Sequence, residues 1–185
     1  MSSRINRLAG VYRSHISVPW QDGLAAVQRI IFAVYDKHDE LRLRANIGEF
    51  ELATKSAGHH WQLIDVTYAF PDWMMSQEYR DSYFECPEDM TSYMTGEIAE
   101  FSEHLIGSLR RQLSEVANAN TVTALVGVGT LFGLTRVSKV VDSIADAVQG
   151  RLVVFFPGEY ANNNYRLLDA RDGWNYMAVP LLATE

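Results

Sequence analysis

Four short apolar runs, separated by amphipathic segments, constrain the fold of this chain more than any other feature. They are RIIFAVYD (29–36), WQLIDVT (61–67), TVTALV (121–126) and RLVVFF (151–156). Runs of this length that are mostly apolar and contain many β-branched residues are typical of strands buried on both faces. Because helical segments alternate with them, the pattern predicts right-handed βαβ units on a parallel sheet.

The segments before and between these runs carry apolar residues at spacings of three and four, which predicts amphipathic helices. The predicted stripes are Ile5, Leu8, Tyr12 and Ile16; Leu43, Ile47, Phe50 and Thr54; Ile98, Phe101, Leu105, Leu109, Leu113 and Val116; and Leu131, Leu134, Val137, Val141, Ile144 and Val148. The stretch from Tyr68 to Tyr93 is rich in aromatic residues and Met but has no clear period. We expect short helices and loops there, with the aromatic rings either in the core or at a protein interface.

Near the C-terminus the pattern changes. YRLL (165–168) and NYMAVPL (175–181), separated by DARDGW, predict a hairpin at the edge of the sheet. We interpret Pro157 and Gly158 as the turn that ends the fourth strand. The predicted fold class is α/β: a single domain over 1–185 with three layers, a mostly parallel sheet of four to six strands and helices on both faces, like a degenerate Rossmann-like nucleotide-binding fold.

Charge and composition exclude several classes of function. The formal net charge is -7, and no basic run is longer than Arg110 and Arg111, so we expect no autonomous binding to nucleic acid. No apolar stretch approaches the roughly 20 residues that span a bilayer, and MSSRINRLAG contains no apolar signal core. We therefore expect a cytoplasmic protein with no membrane partner.

The turn GVGTLFG (127–133) follows a predicted strand, where nucleotide-binding folds place phosphates. Gly127 and Gly129 are therefore candidates for a nucleotide-like turn. The match to known phosphate loops is poor, however, because Leu134 stands where the phosphate-binding lysine would be, and Phe132 stands where a dinucleotide fold needs a small residue. Tight strand-to-helix geometry is the alternative interpretation.

Other catalytic and metal-binding patterns are weak. His59 and His60 are adjacent and so lack the spacing of a helical metal site. The single cysteine, Cys86, lies among acidic residues that disfavour the reactive thiolate. We expect no catalytic residue, no metal and no cofactor, and we regard an enzymatic role as the less favoured one.

The densest polar cluster follows the fourth apolar run. Its candidate residues for a ligand or partner surface are Glu159, Tyr160, Arg166, Asp169, Arg171, Asp172 and Trp174. The loop after a strand of a parallel sheet is the usual place for a ligand, which favours function. Alternatively, these charges pair with each other around an ordinary turn.

Four phrases together resemble the BrxB family of bacteriophage-exclusion (BREX) defence systems. They are YDKHDELRLRANIGEFE, TALVGVGTLFGLTRVS, GRLVVFFPGEY and NNYRLLDARDGWNYMAVPL. The resemblance extends from about residue 29 to the end of the chain. It implies a small cytoplasmic protein, needed to block phage replication, that is encoded beside an ATPase, an adenine-specific DNA methyltransferase and a PglZ-type protein with an alkaline-phosphatase fold.

The resemblance implies a biological setting and supplies no catalytic motif. We therefore expect a non-enzymatic adaptor that contacts these other defence proteins, because a fold can keep its scaffold and use its surface for assembly. The alternative is a sensor or enzyme that binds a nucleotide or a related signal at the strand-end turns 127–130 and 157–160. The sequence leaves the oligomeric state open.

Overall fold

A computed structural model describes residues 3–21, 23–78, 80–86, 90–115, 118–170 and 173–183. The helices of these residues are α1 (Arg4–Ile16), α2 (Glu40–Ala45), α3 (Ile47–Ser56), α4 (Ala69–Met75), α5 (Arg80–Glu85), α6 (Met90–Glu115) and α7 (Val137–Ile144). The strands are β1 (Ile30–Tyr35), β2 (His60–Asp65), β3 (Thr121–Val126), β4 (Arg151–Ala161), β5 (Asn164–Leu167), β6 (Trp174–Asn175) and β7 (Val179–Leu182). Each of the four apolar runs forms a strand, as predicted.

The sheet is mostly parallel, and its main strands lie in the order β2-β3-β4-β1-β7. Each neighbouring pair in this order is parallel, with Ile30 opposite Leu152 and Ile31 opposite Val179. β5 and β6 extend from the carboxyl end of β4 as an antiparallel branch. All carboxyl ends of the parallel strands therefore meet at one edge of the sheet.

Helices cover both faces of the sheet, which confirms the predicted α/β class. On one face, Ile31, Ala33 and Tyr35 of β1 pack with buried residues of α1 and α3. On the other, Phe32 and Val34 of β1 pack with buried residues of α4, α6 and α7. Since neighbouring residues of a strand point to opposite faces, a strand in this position has to be apolar throughout.

The fourth strand does not end at Pro157 and Gly158, and that prediction is wrong. β4 continues through both residues to Ala161, and its last four residues pair with β5. The chain reverses at Asn162 and Asn163, whose φ angles of 52° and 61° lie in the left-handed region that asparagine tolerates. A proline is accommodated here because the neighbouring strand of the parallel sheet, β1, has its last paired residue, Tyr35, opposite it.

The predicted C-terminal hairpin is only partly present. β5 and β6 do pair in antiparallel fashion, with Tyr165 opposite Trp174. The following residues leave this branch, however, and β7 pairs in parallel with β1 at the edge of the main sheet. When β5, β6 and β7 are counted with β1 to β4, the sheet has seven strands among the described residues, more than the four to six predicted.

One helical region is shorter than its apolar stripe suggests. After β3 the chain forms a single 3-10 turn at Val128–Leu131, and α7 begins only at Val137, because Gly133 adopts a left-handed φ of 80° between them.

In the aromatic-rich stretch, Trp73 and Met74 are buried in the core, whereas Tyr68 and Met75 are exposed. Within the described residues, no helix combines the length and the hydropathy that a membrane span requires.

Candidate functional site

A cleft of about 580 Å³ opens at the carboxyl edge of the sheet. Its walls come from the ends of β1, β4 and β7 and from the first turns of α1. The apolar part of the lining includes Ile5, Leu8, Val34, Leu168 and Leu182. This is the position at which open α/β sheets usually bind a ligand or partner.

Ion pairs surround this cleft. Arg4 of α1 donates to Asp39 over 2.9 Å and lies 3.3 Å from Asp36, which follows β1. Lys37 forms an ion pair with Asp169, which lies beyond β5. These contacts tie α1 and the branch of β5 to the end of β1. Because each of these described cations already faces a carboxylate, the rim has little spare positive charge for an anionic ligand.

The structure brings three of the seven predicted surface residues into the lining of this cleft. Glu159, Tyr160 and Asp169 line it, and Arg166 lies 3.8 Å from Glu159 across the β4–β5 pair. Trp174 is partly buried and packs edge-on against Phe156, with ring centroids 5.4 Å apart. Arg171 and Asp172 lie outside the described residues.

The turn with Gly127 and Gly129 does not line the cleft. Gly127 has a left-handed φ of 83°, and a Cβ atom there would lie 2.7 Å from the Thr67 nitrogen and 2.8 Å from Asp65 Oδ1. A Cβ atom at Gly129 would lie 3.1 Å from Pro157. Both glycines thus allow close packing against the protein's own chain, which matches the tight-turn interpretation.

Sequence reasoning missed a polar network beside this turn. Arg44 of α2 donates to Glu40 over 2.7 Å, to Asp65 over 3.1 Å and to the Thr67 hydroxyl over 2.6 Å. The Tyr35 hydroxyl donates to the other oxygen of Glu40. One signal was present in the sequence: Asp65 ends β2, so its carboxylate had to lie at the carboxyl edge of the parallel sheet.

The surroundings shift the pKa values of several groups at this edge. Burial alone would raise the pKa of Asp65, but hydrogen bonds from Thr67 and the charge of Arg44 outweigh it and lower the pKa below its usual value. The N–H and imidazole of His38 hydrogen-bond to Asp36 and lower the pKa of that carboxyl. Burial, with the hydrogen bond to Glu40, raises the pKa of Tyr35, so its phenol stays protonated and remains a donor.

The depressed pKa of Asp65 predicts a specific loss of stability in acid. In the unfolded chain an aspartate has a pKa of about 3.9, so on acidification the unfolded state binds the proton first. The stabilisation is complete above about pH 5 and disappears as the pH falls through the lower, folded-state pKa. We expect the free energy of unfolding to fall less steeply below about pH 5 in Asp65→Asn than in the natural protein, measured by urea unfolding at a series of pH values.

Thr67→Val provides a graded control for this prediction. It removes the hydroxyl that donates to Asp65 and accepts from Arg44, and it keeps the direct contact of Arg44 with Asp65. The acid dependence of this variant should lie between those of the natural protein and Asp65→Asn. Identical pH profiles in all three proteins would show that Asp65 does not link folding to protonation.

Comparison with known proteins gives one family. The family model described as BREX protein BrxB matches residues 64–181, more than half of the chain. No curated protein and no solved structure matches. The matched region contains β3, all of β4 and the β5–β6 branch, and so it includes the Glu159, Arg166 and Asp169 side of the cleft.

Proposed function

We propose that this chain, which belongs to the BrxB family of BREX proteins, is a non-enzymatic adaptor that holds components of the anti-phage system together. Family membership makes the chain a component of a BREX defence system and implies other BREX proteins as its partners. The partners that we expect, from the family resemblance, are the PglZ-type protein, the ATPase and the DNA methyltransferase. The adaptor would contact them through the cleft rim formed by Glu159, Tyr160, Arg166 and Asp169.

The observation that carries this proposal is that oppositely charged side chains are exposed on two strands, β4 and β5, that are hydrogen-bonded to each other. The side chains of Glu159 and Asp169 are 72% and 78% exposed, and that of Arg166 is 51% exposed. Glu159 and Arg166 lie opposite each other in the β4–β5 register, which fixes their positions through backbone hydrogen bonds. Exposed charges beside an aromatic ring are typical of the polar rim of a protein interface.

The same charges contribute little to folding, which supports a role outside the protein. A surface ion pair at 3.8 Å, with both side chains more than half exposed, adds between nothing and about 1 kcal/mol to stability. Electrostatic complementarity at the rim of an interface mainly governs which partner binds and how fast it does so. The arrangement of Glu159 and Arg166 therefore fits recognition better than stabilisation.

A charge-swapped variant tests the adaptor proposal. In the double variant Glu159→Lys with Arg166→Glu, the two side chains still attract each other, but each position presents the opposite charge to a partner. We expect its thermal midpoint to match that of the natural protein, while co-purification with the other BREX proteins and protection against phage fall by at least about tenfold.

The single variants serve as controls for the swap. If the pair only stabilised the β4–β5 branch, Glu159→Lys and Arg166→Glu alone would do harm and the double variant would restore function. A double variant that co-purifies with its partners and protects cells as well as the natural protein does would refute the proposed recognition surface.

A further inference from the structure

The outer edge of β2 has no strand beside it within the part of the chain that the structure describes. β2 is the first strand in the sheet order and pairs with β3 on one side, and no described strand lies on its other side. The N–H of His60 donates to Asn120 over 3.0 Å and that of Val66 to Val126 over 3.0 Å, both toward β3. Because backbone groups alternate in direction along a strand, the N–H and C=O groups of Trp61, Leu63 and Asp65 point away from β3.

The two edges of the main sheet differ in how they are protected. β7, at the opposite edge, has four residues and contains Pro180, which cannot donate a backbone hydrogen bond. β2 has six residues and contains neither proline nor lysine. Proline, lysine and short length are the usual means by which proteins block pairing at an edge strand. β2 lacks all three.

Apolar surface accompanies this open edge. Leu63, in the middle of β2, is 42% exposed. On the face that carries Ile64, a groove of about 430 Å³ lies between the end of β2 and helices α4 and α6, with Trp73 and Phe101 in its lining. Tyr68, at the mouth of this groove, is also exposed. An added strand would bury Leu63 and could place a side chain in the groove.

We propose that β2 pairs with β2 of a second copy of this chain, antiparallel, across a two-fold axis at Leu63. In this register Trp61 lies opposite Asp65 of the second copy, and Leu63 lies opposite Leu63. The outward N–H and C=O groups of all three residues then find partners on both chains, and the two parallel sheets become one continuous sheet.

Side-chain pairing favours this register over its neighbours. An axis at Asp65 would set two carboxylates opposite each other, which is unfavourable in a strand pair. An axis at Trp61 would pair Leu63 and Asp65 with residues that precede β2. With the axis at Leu63, His60 of the second copy lies opposite Val66, on the face of the groove that includes Asp72. The backbone groups of the β2 edge are thus complementary to themselves in this register, with Leu63 packed against Leu63 at the axis.

The test is the mass of the protein in solution, measured by sedimentation equilibrium from low to several hundred micromolar. We expect the natural protein to reach twice the 20.9 kDa mass of one chain. Leu63→Lys places like charges on the axis, and Leu63→Pro removes an N–H that points away from β3. Each should weaken the dimer by at least about tenfold, while the hydrogen bonds between β2 and β3 remain intact.

Matched controls separate this edge from general surface effects. Leu41→Lys makes the same change at a leucine of α2 that is 82% exposed, and it should leave the dimer unchanged. Circular dichroism checks folding, and Leu63→Lys alone decides the question if Leu63→Pro fails to fold. A natural protein that stays at the mass of one chain throughout overturns the proposal, as does a dimer that Leu63→Lys does not weaken.

Discussion

Gly158→Ala is expected to lower the free energy of unfolding by about 2 to 3 kcal/mol and to disturb the cleft rim at the same time. Gly158 lies in β4 opposite Leu167 and lines the cleft. A Cβ atom there would fall on the carbonyl oxygen of Arg166 and would lie 3.0 Å from the Phe156 ring. Nonbonded heavy atoms need about 3.5 Å, so the backbone of β5 has to move.

The displaced strand carries the proposed recognition surface, so this substitution should also impair function. Arg166 is part of β5, and Asp169 follows it. We expect chemical denaturation to show the loss of stability, and co-purification with BREX proteins to weaken even at temperatures where the variant remains folded.

Gly107→Ala is the matched control for Gly158→Ala. Gly107 lies in α6, and a Cβ atom there meets nothing within 4 Å. Because alanine has a higher helix propensity than glycine, this variant should be more stable than the natural protein by about 0.5 to 1 kcal/mol. If Gly158→Ala unfolds at the same denaturant concentration as Gly107→Ala, the close contact with β5 is not a constraint on the fold.

The layered core could be predicted from the sequence because its pattern is local. Ile5, Leu8, Tyr12 and Ile16 recur at helical spacing, and all four are buried in α1. β1 is apolar at every position, β3 is apolar except for Thr121 and Thr123, and both strands are buried at every position. Helical period and continuous apolar runs depend on neighbouring residues alone, so they can be recognised without knowledge of the tertiary structure.

The ends of the strands could not be predicted in the same way. The apolar run of β4 stops at Phe156, but the strand continues to Ala161 because β5 returns to pair with its exposed residues. Likewise, Leu131 belongs to the same apolar stripe as Val137 although a left-handed glycine separates their helical turns. In both cases a pairing or packing partner distant in the sequence overrides the local signal.

Part of the candidate site could be predicted from the sequence, and the rest depended on the topology of the sheet. Glu159 and Asp169 were predicted from their position after a buried strand, and both line the cleft. Arg4 was not predicted, because its place at the cleft depends on α1 packing over β1, far along the chain. Arg44 likewise reaches Asp65 across 21 positions. Contacts of this kind are set by strand order, which local patterns do not determine.

Tyr165→Ala should be the most damaging single substitution in the C-terminal region, with a loss of about 3 to 5 kcal/mol in the free energy of unfolding. Tyr165 is fully buried, and its ring lies 4.7 Å from that of Phe32 and 4.6 Å from that of Tyr160, measured between centroids. With Leu167 it is one of two β5 residues in the core cluster that includes Phe32 of β1. Truncation would leave a cavity beneath the branch that carries Arg166 and Asp169.

Tyr165→Phe separates the packing of this ring from its hydroxyl. The hydroxyl donates to the carbonyl of Ala178 over 3.2 Å, just before β7, so one side chain holds both ends of the C-terminal segment. Loss of this hydrogen bond alone should lower stability by about 1 to 2 kcal/mol, since the Ala178 carbonyl loses its donor. Thermal and urea unfolding of both variants measure the two contributions. If Tyr165→Ala were no less stable than Tyr165→Phe, the ring would not be what anchors β5 to the sheet, and the rigid support proposed for Glu159 and Arg166 would have to come from the backbone pairing of β4 and β5 alone.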